Sequence, residues 1–137
     1  MDDVVLNKAA TIERCIQRVN EVYAGEERNL CEDITRQDSI ILNLQRACEA
    51  AIDLAMHAIR EHRLGIPQDS RDAFDLLARS GLFPQEAATK LRQMVGFRNV
   101  AVHDYQALNL DIVREIIRSH LGDLAAFARW GVERLAR

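Results

Sequence analysis

Three residues within six positions carry the chemistry this chain is equipped for: Arg98, Asn99 and His103. Histidine titrates near neutral pH and can carry a proton to or from a reacting oxygen. Arginine cannot do that, but its planar fork donates two parallel hydrogen bonds to a phosphate. Asparagine can orient a hydroxyl, a water or the imidazole. Together they suit cleavage of a phosphodiester flanked by a 2′-hydroxyl, which means RNA. The arginine would stabilise charge developing on the phosphoryl oxygens. The stretch is locally basic: from Ala87 to His103 there is no acidic residue, whereas Lys90, Arg92 and Arg98 are all cationic. That makes Lys90 and Arg92 candidate RNA contacts. The bland alternative is a solvated helix face that happens to be basic.

Spacing places these groups only in part. Asn99 and His103, four apart, share a helix face. Arg98 and His103, five apart, lie about 140° apart on a straight helix, so a long side chain, a helix end or a bend must bring their heads together. Tyr105, seven from Arg98, would share its face if the helix continued. Asp104 could fix the imidazole tautomer or reach back to an arginine. Gly96, inside the same helical pattern, costs about 1 kcal/mol relative to alanine, which suggests a close approach by another group.

Other chemistries find less support. His57 and His62 are five apart, and His120 stands among Arg118, Ser119 and Leu121; none belongs to an H-E-x-x-H or carboxylate–histidine metal set. Glu13, Glu49 and Asp53 are helical carboxylates. Glu49 and Asp53 are four apart and could face a cleft or pair with Arg46, but the E-x-x-H pairs of a di-iron bundle are lacking. No glycine-rich phosphate loop occurs. The sequence therefore implies neither a metal nor a cofactor. Cys15, Cys31 and Cys48 are odd in number, widely spaced and best read as reduced packing thiols.

The elements that must hold these residues are helical. The 137 residues suffice for one domain spanning 1–137. Aromatics are 5%, with six glycines and two prolines, too few turn formers for a sandwich or barrel. Apolar residues at 48% and charged residues at 28% describe a globular composition. A first helix is predicted over Asp3–Tyr23, with Val5, Ala9, Ile12, Ile16 and Val19 in one stripe and Asp2 or Asp3 as cap. A second starts near Thr35, with Asp38 as partner in a loose capping box, and runs to His62. Its apolar face, from Ile40 to Ile59, is wide enough to ask for a second copy of the chain. A short helix follows over Ser70–Arg79, with Gly81 as left-handed cap. A fourth begins at Pro84 and ends near Val102 or His103. The last runs from Leu110 to Arg129 and onward toward Leu135, capped by Asn109. The expected fold is an all-α bundle of about five helices.

The net charge of −3 is not that of a general nucleic-acid binder, yet 16 of the 18 basic residues are arginines, which favours specific phosphate contacts. No signal peptide or membrane-length apolar run is apparent, so a cytoplasmic location away from the membrane is expected.

Arg98-Asn99-Val100-Ala101-Val102-His103 matches the R-x4-6-H motif of HEPN domains, and the longer string from Met94 to Tyr105 resembles the signature of the HepT family of bacterial toxins. Glu49-Ala50-Ala51-Ile52-Asp53-Leu54-Ala55, and Arg71 to Leu77 followed by Gly81, also resemble that family, so the likeness covers nearly the whole chain. It implies a metal-independent endoribonuclease acting as a homodimer, with Arg98 and His103 catalytic and Asn99 in support. It also implies a cognate minimal nucleotidyltransferase antitoxin, MntA-like, that silences the toxin by transferring AMP to Tyr105. A non-catalytic HEPN module that only binds a nucleotidyltransferase is the alternative, and a plain helical scaffold is a more distant one.

Overall fold

The computed structural model describes residues 2–135, all helix and connecting turns with no strand among them. The helices are α1 (Asp3–Tyr23), α2 (Arg28–Cys31), α3 (Ile34–His62), α4 (Ser70–Arg79), α5 (Gln85–His103), α6 (Leu110–Glu115) and α7 (Leu121–Leu135). A 3₁₀ turn, Tyr105–Ala107, separates α5 from α6, and a π-helical stretch, Ile116–His120, joins α6 to α7. The five long segments read from the apolar periodicity are all present. The one-turn α2 is an addition, too short to give a periodic signal.

α3 is the central post. α1 packs along it and against α7, while α4 and α5 pack on each other and on α3. This arrangement accounts for the wide apolar face of α3. Ile40, Leu44, Ala47, Ala51, Leu54, Ala55, Ala58 and Ile59 are all buried within the single chain. The width that suggested a second copy is therefore satisfied by five neighbouring helices, and dimerisation cannot be argued from it. Phe74, Phe83, Phe127 and Trp130 pack ring to ring at centroid distances of 5.1–5.5 Å, tying α4 and the following turn to α7.

The caps follow the side chains. Asp2 accepts from the Val4 and Val5 amides, and Asn109 from that of Asp111. α3 is capped by Asp33, which accepts from the Arg36 amide; Thr35 lies inside the helix and Asp38 is free for another partner. Pro84 is the residue before α5, and Gly81 follows α4 at φ +81°. Cys15 and Cys48 are buried and Cys31 exposed, all three free. No helix among the described residues is long and apolar enough to cross a membrane.

Candidate active site

The site is built on the C-terminal half of α5. Its backbone ends at Asp104, whose φ of −152° and ψ of 63° leave the helix while its amide still donates to the Val100 carbonyl at 2.8 Å. His103 is thus the last helical residue, exposed and unobstructed. Asn99, one turn earlier on the same face, is half-buried. The helix stop also removes Tyr105 from the face of Arg98, because Tyr105 opens the 3₁₀ turn instead.

Arg98 is half-buried and reaches across to α4, where its Nη2 donates to Ser70 Oγ at 3.1 Å. Its Nε is buried with no hydrogen-bond partner among the described residues. A buried, unpaired guanidinium donor is unfavourable, and such groups collect where a site is shaped for something other than stability. The charge of Arg98 is also felt by Cys48 behind it, although burial dominates there and pushes the thiol up to about 12. Cys48 is therefore an inert packing thiol at neutral pH.

Tyr105 is presented differently. Its hydroxyl donates to Asp38 Oδ1 on α3, a contact spanning 67 positions of sequence. Partial burial first, then this bond and the adjacent carboxylate charge, push the phenol up to about 12. The residue as a whole remains 40% exposed although its hydroxyl is held.

The remaining expected residues divide. Asp104 makes no side-chain hydrogen bond among the described residues and does not touch the imidazole. Lys90 lies 3.9 Å from Asp123 of α7, and Arg92 3.0 Å from Asp75 of α4. Both cations are engaged in holding α5 to its neighbours and would have to leave those pairs to meet RNA. Glu49 accepts from Gln45, and Asp53 pairs with Lys8 of α1. His57 pairs with Asp2 and His120 with Asp123. No group of three or more His, Cys, Asp or Glu residues among those described could hold a metal ion. Two contributors escape a reading of the sequence: Ser70, which looks like an ordinary first residue of α4, and Asp38, which looks like part of a cap.

Comparison with known proteins bears on the whole chain. A family model described as Ribonuclease HepT-like matches residues 12–129. The mRNA nuclease HepT of Shewanella oneidensis is 54% identical over 127 residues, which is 93% of this chain and 95% of that protein. The crystal structure of a toxin–antitoxin with AMP-PNP aligns with a TM-score of 0.89 at 51% identity, covering 94% of this chain and 97% of that one. A tri-AMPylated Shewanella oneidensis HEPN toxin in complex with MNT antitoxin aligns equally well, with a TM-score of 0.89, 52% identity and coverage of 95% and 97%.

Proposed function

Because the chain belongs to the HepT-like ribonuclease family, we propose that it is an endoribonuclease toxin acting on mRNA and neutralised by a nucleotidyltransferase antitoxin that attaches AMP to Tyr105. The observation that carries this reading is the arrangement of Arg98, Asn99 and His103 at the open end of α5, with Arg98 anchored by Ser70.

In the reaction, the imidazole of His103 takes the proton of the RNA 2′-hydroxyl. That oxygen attacks the adjacent phosphorus, and the 5′-oxygen leaves and takes a proton from water, while His103 returns its own proton to solvent. The products are a 2′,3′-cyclic phosphate and a 5′-hydroxyl. Arg98 stabilises the charge on the non-bridging oxygens, more strongly in the transition state than in the ground state. Asn99, on the His103 face, orients the sugar or the imidazole, and Asp104 is close enough in sequence to assist once RNA is bound. The steps use side chains and water, so cutting should survive EDTA.

The chain acts as a homodimer in this reading, with two such helix ends facing one cleft. Support comes from Val100 and Val102, 37% and 44% exposed beside Arg98 and His103, which leave an apolar margin around the polar pair. In silencing, the Tyr105 oxygen attacks the α-phosphorus of ATP, pyrophosphate leaves, and the phenolic proton passes to a base. Asp38 already accepts a hydrogen bond from that hydroxyl. Each added AMP brings bulk and a phosphodiester charge just past the end of α5, and both oppose an incoming RNA backbone.

The test uses an in vitro transcript with the purified chain, in EDTA, with and without prior incubation with the cognate nucleotidyltransferase and ATP. Cleavage should occur in the first case and fail in the second, with peptide mass spectrometry locating AMP on Tyr105. Tyr105→Phe should escape silencing. An intact transcript from the untreated chain, or AMP on another residue, would refute the corresponding half.

A further inference from the structure

α4 crosses the motif helix in antiparallel order. Asp75 pairs with Arg92, Arg71 lies over Gly96, and Ser70 reaches Arg98, so moving toward the start of α4 moves toward the His103 end of α5. On α5, Arg92, Gly96, Asn99 and His103 form one stripe. Gly96 and His103 are seven residues apart, which puts them within about 20° in azimuth and about 10 Å apart along the axis.

The gap left by Gly96 is occupied. A Cβ built there would lie 3.1 Å from Nη2 of Arg71, so the missing side chain is what lets this guanidinium rest against α5. The neighbouring arginines on this contact are committed, Arg92 to Asp75 and Arg79 to Asp72. Arg71 enters no ion pair or side-chain hydrogen bond among the described residues, and it is exposed.

We propose that Arg71 is an RNA-binding residue of the cleavage site, gripping a phosphate a few nucleotides from the scissile bond, and that Gly96 is kept small to seat it. The inference rests on the ribonuclease reading above and adds a subsite to it. About 10 Å corresponds to roughly three nucleotides of a stacked strand at about 3.4 Å each. An uncommitted arginine on the same helix face as the proton-transfer residue holds the strand in register without touching the reacting atoms. This is binding felt equally in the ground and transition states, so it lowers KM and leaves kcat alone.

The experiment compares the wild-type chain with Arg71→Ala and Gly96→Ala on a transcript that the wild type cuts. Arg71→Ala should raise KM by about tenfold with kcat within about twofold. It should also reduce the slope of log affinity against log salt by about 0.7, the loss of one phosphate contact on a single strand. Gly96→Ala displaces only the flexible end of Arg71, so it should fold, keep its helical content and shift KM in the same direction by less. An unchanged KM and salt slope in Arg71→Ala would overturn the assignment, as would a fall confined to kcat. A wild-type chain that cuts no transcript would instead remove the ribonuclease reading beneath it.

Discussion

His57 and His103 are both helical histidines, and they are held in opposite ways. His57 lies within α3, 9% exposed, with Nε2 2.6 Å from Asp2 Oδ2. The same carboxylate caps α1 through its other oxygen, so one side chain joins the start of α1 to the C-terminal part of α3. His103 ends α5 in the open, with no hydrogen-bond partner among the described residues. Arg98 beside it has a buried Nε without one. The α1–α3 region thus satisfies its polar groups internally, whereas the α4–α5 corner leaves the Arg98 Nε unmatched. A satisfied group contributes stability. An unsatisfied one costs it, and on the same helix as an exposed imidazole it marks a corner shaped for something other than stability.

Exchanging the two histidines for alanine breaks this comparison most directly. His103→Ala should lose a factor of about 10² to 10⁴ in cleavage rate, the usual contribution of positioned proton transfer, with its melting temperature nearly unchanged. His57→Ala should keep its rate per folded molecule and lose stability, since it removes a part-buried hydrogen bond to a carboxylate and empties a packed position on α3. The loss should appear as a melting temperature lower by about a few degrees. Calorimetry and a cleavage assay on both variants check the pair, and similar losses of rate in the two would erase the distinction.

Acid should weaken the first region through Asp2. The hydrogen bond from His57 is the main influence holding the Asp2 carboxyl below its ordinary value. A carboxyl with a lowered folded-state pKa gives stability that is fully present above its unfolded value of about 3.9 and is lost as pH falls through the folded value. Urea midpoints of the wild type and Asp2→Asn should therefore draw together as pH falls below about 4 and meet only beneath the lowered folded-state value, and a gap that does not narrow there would count against the Asp2–His57 link.

Ser70 is the next point of attack, on the second region. As the anchor of Arg98 Nη2 it acts through the arginine and touches no reacting atom. Ser70→Ala should cost about tenfold in kcat, with KM and melting temperature little changed, and Ser70→Thr should restore most of the rate because it keeps the hydroxyl. A loss that threonine does not rescue would show that the hydrogen bond is not what positions Arg98.

The same contrast explains what could be read from the residues in order. Apolar stripes repeat every three or four positions, so α1, α3, α4, α5 and the α6–α7 segment were legible, as were the caps of Asp2 and Asn109. Arg98, Asn99 and His103 were legible because they fall within one turn and a half of one helix. Partners across the fold were not. Ser70 and Arg98 are 28 positions apart, Asp38 and Tyr105 are 67 apart, and no periodicity relates them. The width of the α3 stripe was visible, but whether its second side meets another helix of the same chain or another copy depends on how α4, α5 and α7 return to it. Lys90 and Arg92 were legible as charge, yet their ion pairs with Asp123 and Asp75 arise only when three helices pack.

Tyr105 falls between the two histidines, being exposed like His103 and held like His57, and its titration gives the smallest and sharpest test. Partial burial and the Asp38 carboxylate push the phenol up to about 12, against about 10 for a free tyrosine. Asparagine at position 38 removes the adjacent negative charge and leaves an amide beside the hydroxyl, so Asp38→Asn should bring the phenol back toward its ordinary value by only part of that rise, because burial remains. The sign for stability follows from linkage: a tyrosine raised in the folded state adds stability that is complete below about pH 10 and disappears as pH climbs through about 12. The variant and wild type should therefore differ in this respect below about pH 10 and converge in alkali. Absorbance at the phenolate band, followed from pH 8 to 12.5 in wild type, Asp38→Asn and Tyr105→Phe, isolates the Tyr105 step by difference. A Tyr105 titration that Asp38→Asn does not lower would mean that burial alone sets it and that the α3 carboxylate does not hold the hydroxyl.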